Sequence, residues 1–139
     1  MKVFFDTNVY VAEALLGEVA EELVAATERA GWRVYASAYL LDEFEHVLID
    51  KLGFGKRLAH LSRRRIVRRT EQVEPGASRH VVTGDPADSP ILVASLAAGA
   101  DYLITNDRRL LDLDPYEGLR IVSLTDYRQL LINEGLFRS

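Results

Sequence analysis

The 139-residue chain contains no cysteine, and this absence removes several kinds of chemistry at once. Disulfide bonds, a catalytic thiolate and cysteine-ligated zinc are all excluded. Long apolar runs are missing too, since no stretch approaches the roughly 18 residues that a membrane-spanning helix needs. The opening MKVFFD has only three apolar residues between Lys2 and Asp6, far short of the roughly 7 to 15 of a signal peptide. We therefore expect a cytoplasmic protein without membrane association.

Repeats, linkers and low-complexity segments are also absent, so residues 1–139 are expected to form a single domain. Apolar residues make up 48% of the sequence and charged residues 27%, which is the balance of an ordinary globular protein. At this length one hydrophobic core can bury well over half of the surface of the unfolded chain. The three histidines show no metal-ligand spacing and are expected at the surface or partly packed.

Short apolar segments alternate with amphipathic helical patterns along the chain. We predict strands at 2–5, 33–36, 102–105 and 119–123, and helices at 8–16, 19–30, 56–69, 90–98, 107–111 and 125–133. A further helix starts after Ser37 and is broken by Gly53-Phe54-Gly55, and the ambiguous stretch from Val73 contains a candidate strand at Val81-Val82. Strands separated by helices need crossover connections, which predicts a parallel sheet with helices on both faces. The predicted fold class is α/β, with three layers in the order α/β/α.

Acidic residues are predicted to gather at one edge of this sheet. Asp6 directly follows the first strand, and Asp107 lies just beyond the 102–105 strand. Asp88 precedes the helix before that strand, and Glu43 borders the apolar face of its own helix when residues are spaced about 100° apart. Because ligands of such sheets bind beyond the carboxyl ends of the strands, we expect these four carboxylates to converge.

Each of these acids also has a structural interpretation. Asp6, Asp88 and Asp107 could cap helix N-termini, and Glu43 could be an ordinary boundary residue. Four carboxylates at one edge, however, repel one another and raise one another's pKa unless a cation lies among them. All-oxygen ligation favours Mg²⁺ or Mn²⁺ over zinc. The pattern therefore predicts a divalent metal site.

The segment from Lys51 to Arg69 contains eight Lys or Arg residues and no acid, although the chain as a whole carries a net charge of −4. Such a cluster favours an anionic partner, and a solvated helix face is the alternative. The candidate contacts to a phosphate backbone are Lys56, Arg57, Arg63, Arg64, Arg65, Arg68 and Arg69.

Three stretches resemble the acidic motifs of PIN-domain nucleases: FFDTN at 4–8, the Glu43 helix that follows SAYL, and GDPADSPILVASLAAGADYLITND at 84–107. The likeness covers nearly the whole chain and is greatest to prokaryotic, VapC-like PIN ribonucleases that act as toxins of toxin–antitoxin pairs. It implies that Asp6, Glu43, Asp88 and Asp107 bind Mg²⁺ or Mn²⁺. It also implies that Asn8 and Thr105 support this cluster, to which Asp85 could contribute.

The same resemblance implies an RNA substrate held by the basic segment, since an acidic pocket repels a polyanion and needs positive contacts nearby. It further implies a cognate antitoxin that blocks the acidic pocket, for example with an arginine, and a homodimer.

Two other functions fit parts of this pattern. A phosphotransferase of the haloacid-dehalogenase type also begins with a strand that ends in Asp, but it needs a second Asp two residues later, where this chain has Asn8. A catalytically silent PIN-like module that binds RNA would keep the fold without cleaving the substrate.

Overall fold

A five-stranded parallel sheet forms the centre of the computed structural model, which describes residues 1–17, 19–75 and 85–138. The strands are β1 (Lys2–Phe5), β2 (Arg33–Ala36), β3 (Glu71–Gln72), β4 (Tyr102–Ile104) and β5 (Arg120–Val122). Their order in the sheet is β3-β2-β1-β4-β5, and each neighbouring pair is parallel. The predicted α/β class with a central parallel sheet is confirmed.

Helices accompany every strand connection that the structure describes. They are α1 (Thr7–Leu16), α2 (Val19–Arg29), α3 (Ala38–His46), α4 (Lys56–Arg69), α5 (Pro90–Ala97), α6 (Arg108–Leu111) and α7 (Leu124–Asn133). Successive strand residues point to opposite faces of a sheet. Because Val3, Phe4 and Phe5 are all fully buried, both faces of β1 are covered. Within the described residues no helix is long and apolar enough to cross a bilayer.

Most predicted elements are confirmed, with ends within one residue of those observed. Helix α3 continues into a π-helical turn, Val47–Lys51, and the chain then reverses at Gly53, whose φ of 73° favours glycine. This turn brings Lys51 toward the end of the sheet described below. The candidate strand at Val81-Val82 lies outside the described residues.

Strand β3 is where the sequence-based prediction is wrong, because the pattern indicates no strand at Glu71–Gln72. Both residues are exposed and polar, so no apolar alternation marks them. They are held by parallel pairing with the end of β2 and by a two-point ion pair, in which Arg33 donates to both carboxylate oxygens of Glu71 at 2.7 Å. This edge strand is therefore defined by its contacts with β2 and not by a pattern in its own sequence.

A largely buried ion pair joins α1 to α4. Arg69 donates from Nη1 and Nη2 to the two carboxylate oxygens of Glu13, at 2.9 and 2.6 Å, and the guanidinium lies 5.9 Å from the centre of the Tyr10 ring. Burial lowers the pKa of Arg69, but the hydrogen bonds and charge of Glu13 outweigh it and raise that pKa. The pair thus fixes the end of the basic helix against the core.

We expect Arg69→Met to lower the free energy of unfolding by about 3 kcal/mol, because it leaves the Glu13 carboxylate buried without its partner. Urea denaturation measures the loss. The double variant Glu13→Leu with Arg69→Met should recover most of it, since no unpaired charge remains. The control is Arg68→Met at the adjacent exposed position, and an equal loss in both single variants would contradict the structural role of Arg69.

Candidate functional site

A cavity of about 530 Å³ opens at the edge of the sheet where β1 and β4 end. It is lined by Asp6, Thr7, Asn8, Val11, Tyr39, Glu43, His46, Val47, Lys51, Asp85, Asp88, Ser89, Pro90, Ile91, Asp107, Arg109 and Leu110. The structure therefore brings the four predicted metal ligands to one cavity, together with Asn8 and Asp85. Five carboxylates share this space with the cations of Lys51 and Arg109.

Asp6 is the most buried acid of this cavity, with 6% of its surface exposed. Its Oδ1 accepts a hydrogen bond from the Thr7 backbone N–H at 2.6 Å, and its Oδ2 accepts one from the Thr105 hydroxyl, also at 2.6 Å. Burial raises the pKa of Asp6, these two hydrogen bonds lower it, and the charges of Glu43 and Asp107 raise it, with a net increase. The ionised form of Asp6 is thus disfavoured in the absence of a nearby cation.

Thr105 connects Asp6 to Asp107 from a fully buried position behind the cavity. Its hydroxyl donates to Asp6 and accepts a hydrogen bond from the Asp107 backbone N–H at 2.9 Å. The Asp107 Oδ1 in turn accepts from the Arg109 backbone N–H at 2.9 Å. One hydroxyl thereby bonds the Asp6 carboxylate and the Asp107 backbone, which follow the ends of two different strands.

Glu43 lies half-buried on α3, one helical turn after Tyr39. The Tyr39 hydroxyl donates to Glu43 Oε2 at 3.2 Å. Burial, the charge of Glu43, this hydrogen bond and the charge of Asp6 all raise the pKa of Tyr39. The phenol therefore stays protonated and available as a donor to Glu43.

Asp85 precedes a 3₁₀ turn, Pro86–Asp88, of which Asp88 is the last residue and which leads into α5. Asp85 Oδ1 accepts from the Ala87 backbone N–H at 3.0 Å and so caps this turn. Both acids are exposed at the cavity wall.

Asp6 and Asp107 also cap helices, as the structural interpretation of the sequence allowed. Each uses Oδ1 to accept from a backbone N–H in the first turn of the helix that follows it, α1 or α6. A carboxylate has about four lone-pair sites, so one capping bond leaves capacity for a ligand. Capping and metal binding are therefore compatible at both positions.

The acids share the cavity without closing around a single point. Among the described residues, no three acidic or histidine side chains stand close enough to hold one ion, so ligation requires side-chain rearrangement. The donor set nevertheless fits a hard cation, because carboxylate oxygens are the ligands that Mg²⁺ prefers. The buried Thr7 hydroxyl at the cavity wall also lacks a hydrogen-bond partner in the described part of the chain.

Among the cavity residues that were not selected from the sequence are three with polar or charged side chains at its rim: Tyr39, Lys51 and Arg109. The spacing of Tyr39, four residues before Glu43, and of Arg109, two residues after Asp107, was the available signal. Lys51 belongs to the basic segment and is its one member on the cavity wall within the described chain. Only the tertiary structure, which places these three residues at the cavity, distinguishes them from other residues of their type.

The predicted phosphate contacts on α4 divide into paired and unpaired cations. Arg63 bonds Asp42 at 2.8 Å, Arg65 lies 3.5 Å from Glu21, and Arg69 is occupied by Glu13. The exposed residues without an ion pair to any described residue are Lys56, Arg57, Arg64 and Arg68. Arg69 is largely buried and already paired with Glu13, so a phosphate contact at this position would require that ion pair to break.

The sequence profile of the PIN domain family matches residues 2–109, from β1 into α6. This chain therefore belongs to the PIN domain family, a family of nucleases, and the matched region contains all five acids of the cavity. Because the chain belongs to the PIN family, the alternative interpretation as a phosphotransferase of the haloacid-dehalogenase type is excluded. No protein with curated annotation matches the chain.

Among solved structures, one chain of VapBC2 from Rickettsia felis, crystallised with a DNA fragment from the promoter of its genes, has a similar fold. The TM-score is 0.64 over 88% of this chain and 98% of that one, with 13% sequence identity. At this identity the likeness concerns the arrangement of strands and helices.

We expect Thr105→Val to lower the free energy of unfolding by about 2 kcal/mol, because it leaves the Asp107 N–H unpaired and removes a donor from the buried Asp6. Chemical denaturation in EDTA measures this loss without metal effects. Thr105→Ser keeps the hydroxyl and serves as the matched control. Equal losses in the two variants would show that the bridging hydroxyl contributes nothing.

Proposed function

We propose that this PIN domain is a metal-dependent endoribonuclease that hydrolyses RNA phosphodiester bonds and serves as the toxin of a toxin–antitoxin pair. The observation that carries the proposal is the convergence of Asp6, Glu43, Asp88 and Asp107 on one cavity of a PIN-family chain. Burial and the charges of Glu43 and Asp107 raise the pKa of Asp6, and a bound cation would favour its ionised form, which supports the same conclusion.

In this proposal the four acids hold Mg²⁺ or Mn²⁺, and Asp85 contributes from the adjoining 3₁₀ turn. When bound, the metal supplies water activation and stabilises the charge that develops on the phosphate. Thr105 keeps Asp6 and Asp107 in fixed positions through its two hydrogen bonds. Asn8, exposed at the cavity wall, provides an amide that orients the acids or the substrate.

The RNA backbone binds to cations outside the acidic cluster. Lys56, Arg57, Arg64 and Arg68 are exposed and unpaired among the described residues, so they bind phosphate without losing an ion pair. Arg63 and Arg65 exchange their pairs with Asp42 and Glu21 for phosphate at small cost, since exposed pairs contribute little free energy.

A protein partner follows from the toxin role. The similarity of fold to a chain of VapBC2 supports a cognate antitoxin, which we propose blocks the acidic cavity with a cationic side chain. We also propose a homodimer that acts in the cytoplasm on cellular RNA.

Asp6→Asn and Asp107→Asn should each reduce cleavage of labelled RNA at least 100-fold, and EDTA should abolish cleavage that Mg²⁺ or Mn²⁺ restores. Asp112→Asn is the matched control, because Asp112 is an exposed aspartate close in sequence to Asp107 that does not line the cavity. No cleavage by the native protein with either metal would contradict the assignment.

Expression in cells separates an enzyme from a silent RNA-binding module. An enzyme loses growth inhibition with Asp6→Asn, whereas a binding module keeps both its RNA affinity and its phenotype.

Replacing Lys56, Arg57, Arg64 and Arg68 with glutamine should weaken RNA binding and reduce the salt dependence of log K by about 3, since each phosphate contact on a single strand contributes roughly 0.7. Fluorescence anisotropy over a range of salt concentrations, in EDTA, gives this slope. The control replaces four arginines that lie outside α4: Arg29, Arg108, Arg128 and Arg138. An equal change of slope in both variants would argue against a binding surface on α4.

A further inference from the structure

The rim of the acidic cavity carries an exposed aromatic ring whose orientation is fixed. Tyr39 has 46% of its surface exposed, yet its hydroxyl is held by Glu43 at 3.2 Å. Its ring makes no aromatic or cation–π contact with any other described residue. A ring anchored at its polar end, with an open face, presents a flat apolar surface beside the acids.

Two cations share this rim and come from different parts of the fold. Lys51 ends the π-helical turn after α3, on the β2 side of β1, whereas Arg109 lies in α6, which follows β4 on the other side. Both are exposed, and neither side chain forms an ion pair or hydrogen bond with a described residue. Because neither cation is paired with a described residue, both remain available to an external anion.

We propose that Tyr39, Lys51 and Arg109 form a nucleotide subsite, in which the Tyr39 ring stacks on a base while Lys51 and Arg109 bind phosphates on either side of it. This inference rests on the proposed ribonuclease function and specifies how the substrate enters the same cavity. Stacking needs a base that is free of its pairing partner and tolerates any base, because every base has a π face. The subsite therefore selects unpaired nucleotides with little sequence preference.

The alternative role for Tyr39 is to position Glu43 through its hydroxyl alone. Tyr39→Phe separates the two roles, since it keeps the ring and removes the hydroxyl. Tyr39→Leu removes both, and the exposure of this position makes either substitution compatible with the fold.

The experiment measures binding of a fluorescent RNA hexamer to the full chain in EDTA by anisotropy. We expect Tyr39→Leu to weaken binding roughly tenfold, and Tyr39→Phe to bind within about twofold of the native protein. Hexamers that each lack the base at one position test the same contact. When the missing base is the one that stacks on Tyr39, we expect the native protein to bind roughly tenfold more weakly, whereas Tyr39→Leu should bind the abasic and the complete hexamer equally well.

Lys51→Gln and Arg109→Gln should each weaken binding roughly three- to tenfold at low salt and lower the salt slope by about 0.7. Arg108→Gln is the matched control, because Arg108 neighbours Arg109 but does not line the cavity.

Native-like binding by Tyr39→Leu overturns the proposal, as does an equal defect in Tyr39→Phe. Binding in EDTA needs neither metal nor cleavage. The binding results therefore test the subsite even if the protein proves not to cleave RNA.

Discussion

The parallel register between β1 and β4 is the constraint on which the site depends. Phe5 pairs with Ile104, so the next residues of the two strands, Asp6 and Thr105, lie side by side although 99 positions separate them in sequence. The Asp6 N–H continues the ladder by donating to the Ile104 carbonyl at 2.9 Å. A slip of one residue would turn Thr105 to the opposite face and break its hydrogen bond to Asp6. The apolar residues of both strands, by fixing this register, also fix the site.

This arrangement holds a charge in a place where charge is unfavourable. Asp6 is buried and close to the charges of Glu43 and Asp107, and its pKa is raised as a result. Structures with such local conflicts usually retain them at functional sites and compensate elsewhere. Here the compensation comes from the hydrogen bonds of Thr7 and Thr105, which hold the carboxylate in place.

The cations of the chain serve different purposes according to their surroundings. Arg69 is committed to Glu13 inside the fold, and its neighbour Arg68 is exposed on the same helix. Lys51 and Arg109 stand at the cavity itself. Members of the continuous basic segment from Lys51 to Arg69 therefore occupy different surroundings, with Arg69 paired inside the fold and Lys51 at the cavity.

Much of the fold could be predicted from the sequence, because burial on both faces leaves apolar runs such as Val3 to Phe5, and helical apolar spacing marks α2 and α3. Asp6 and Asp107 were also predictable members of the cavity, since they follow strand ends and parallel strands end at one edge, whereas Glu43 was predicted from its place on the helix. Strand β3 could not be predicted, because two exposed polar residues carry no such pattern.

The different roles of Arg68 and Arg69 were equally hidden from the sequence. The two residues have the same chemistry, and only the rotation of about 100° per residue along α4 turns one of them toward Glu13. Tyr39 shows the same limit, because its i to i+4 spacing from Glu43 becomes meaningful only beside the cavity.

The central claim is that these carboxylates together hold a divalent cation. Anomalous diffraction from crystals grown with Mn²⁺ tests it most directly. We predict a strong anomalous peak in the cavity, with oxygen atoms of Asp6, Asp107 and at least one of Glu43 and Asp88 at coordination distance. Ordered, unliganded carboxylates in the cavity, with Mn²⁺ absent or bound elsewhere on the protein, would contradict it.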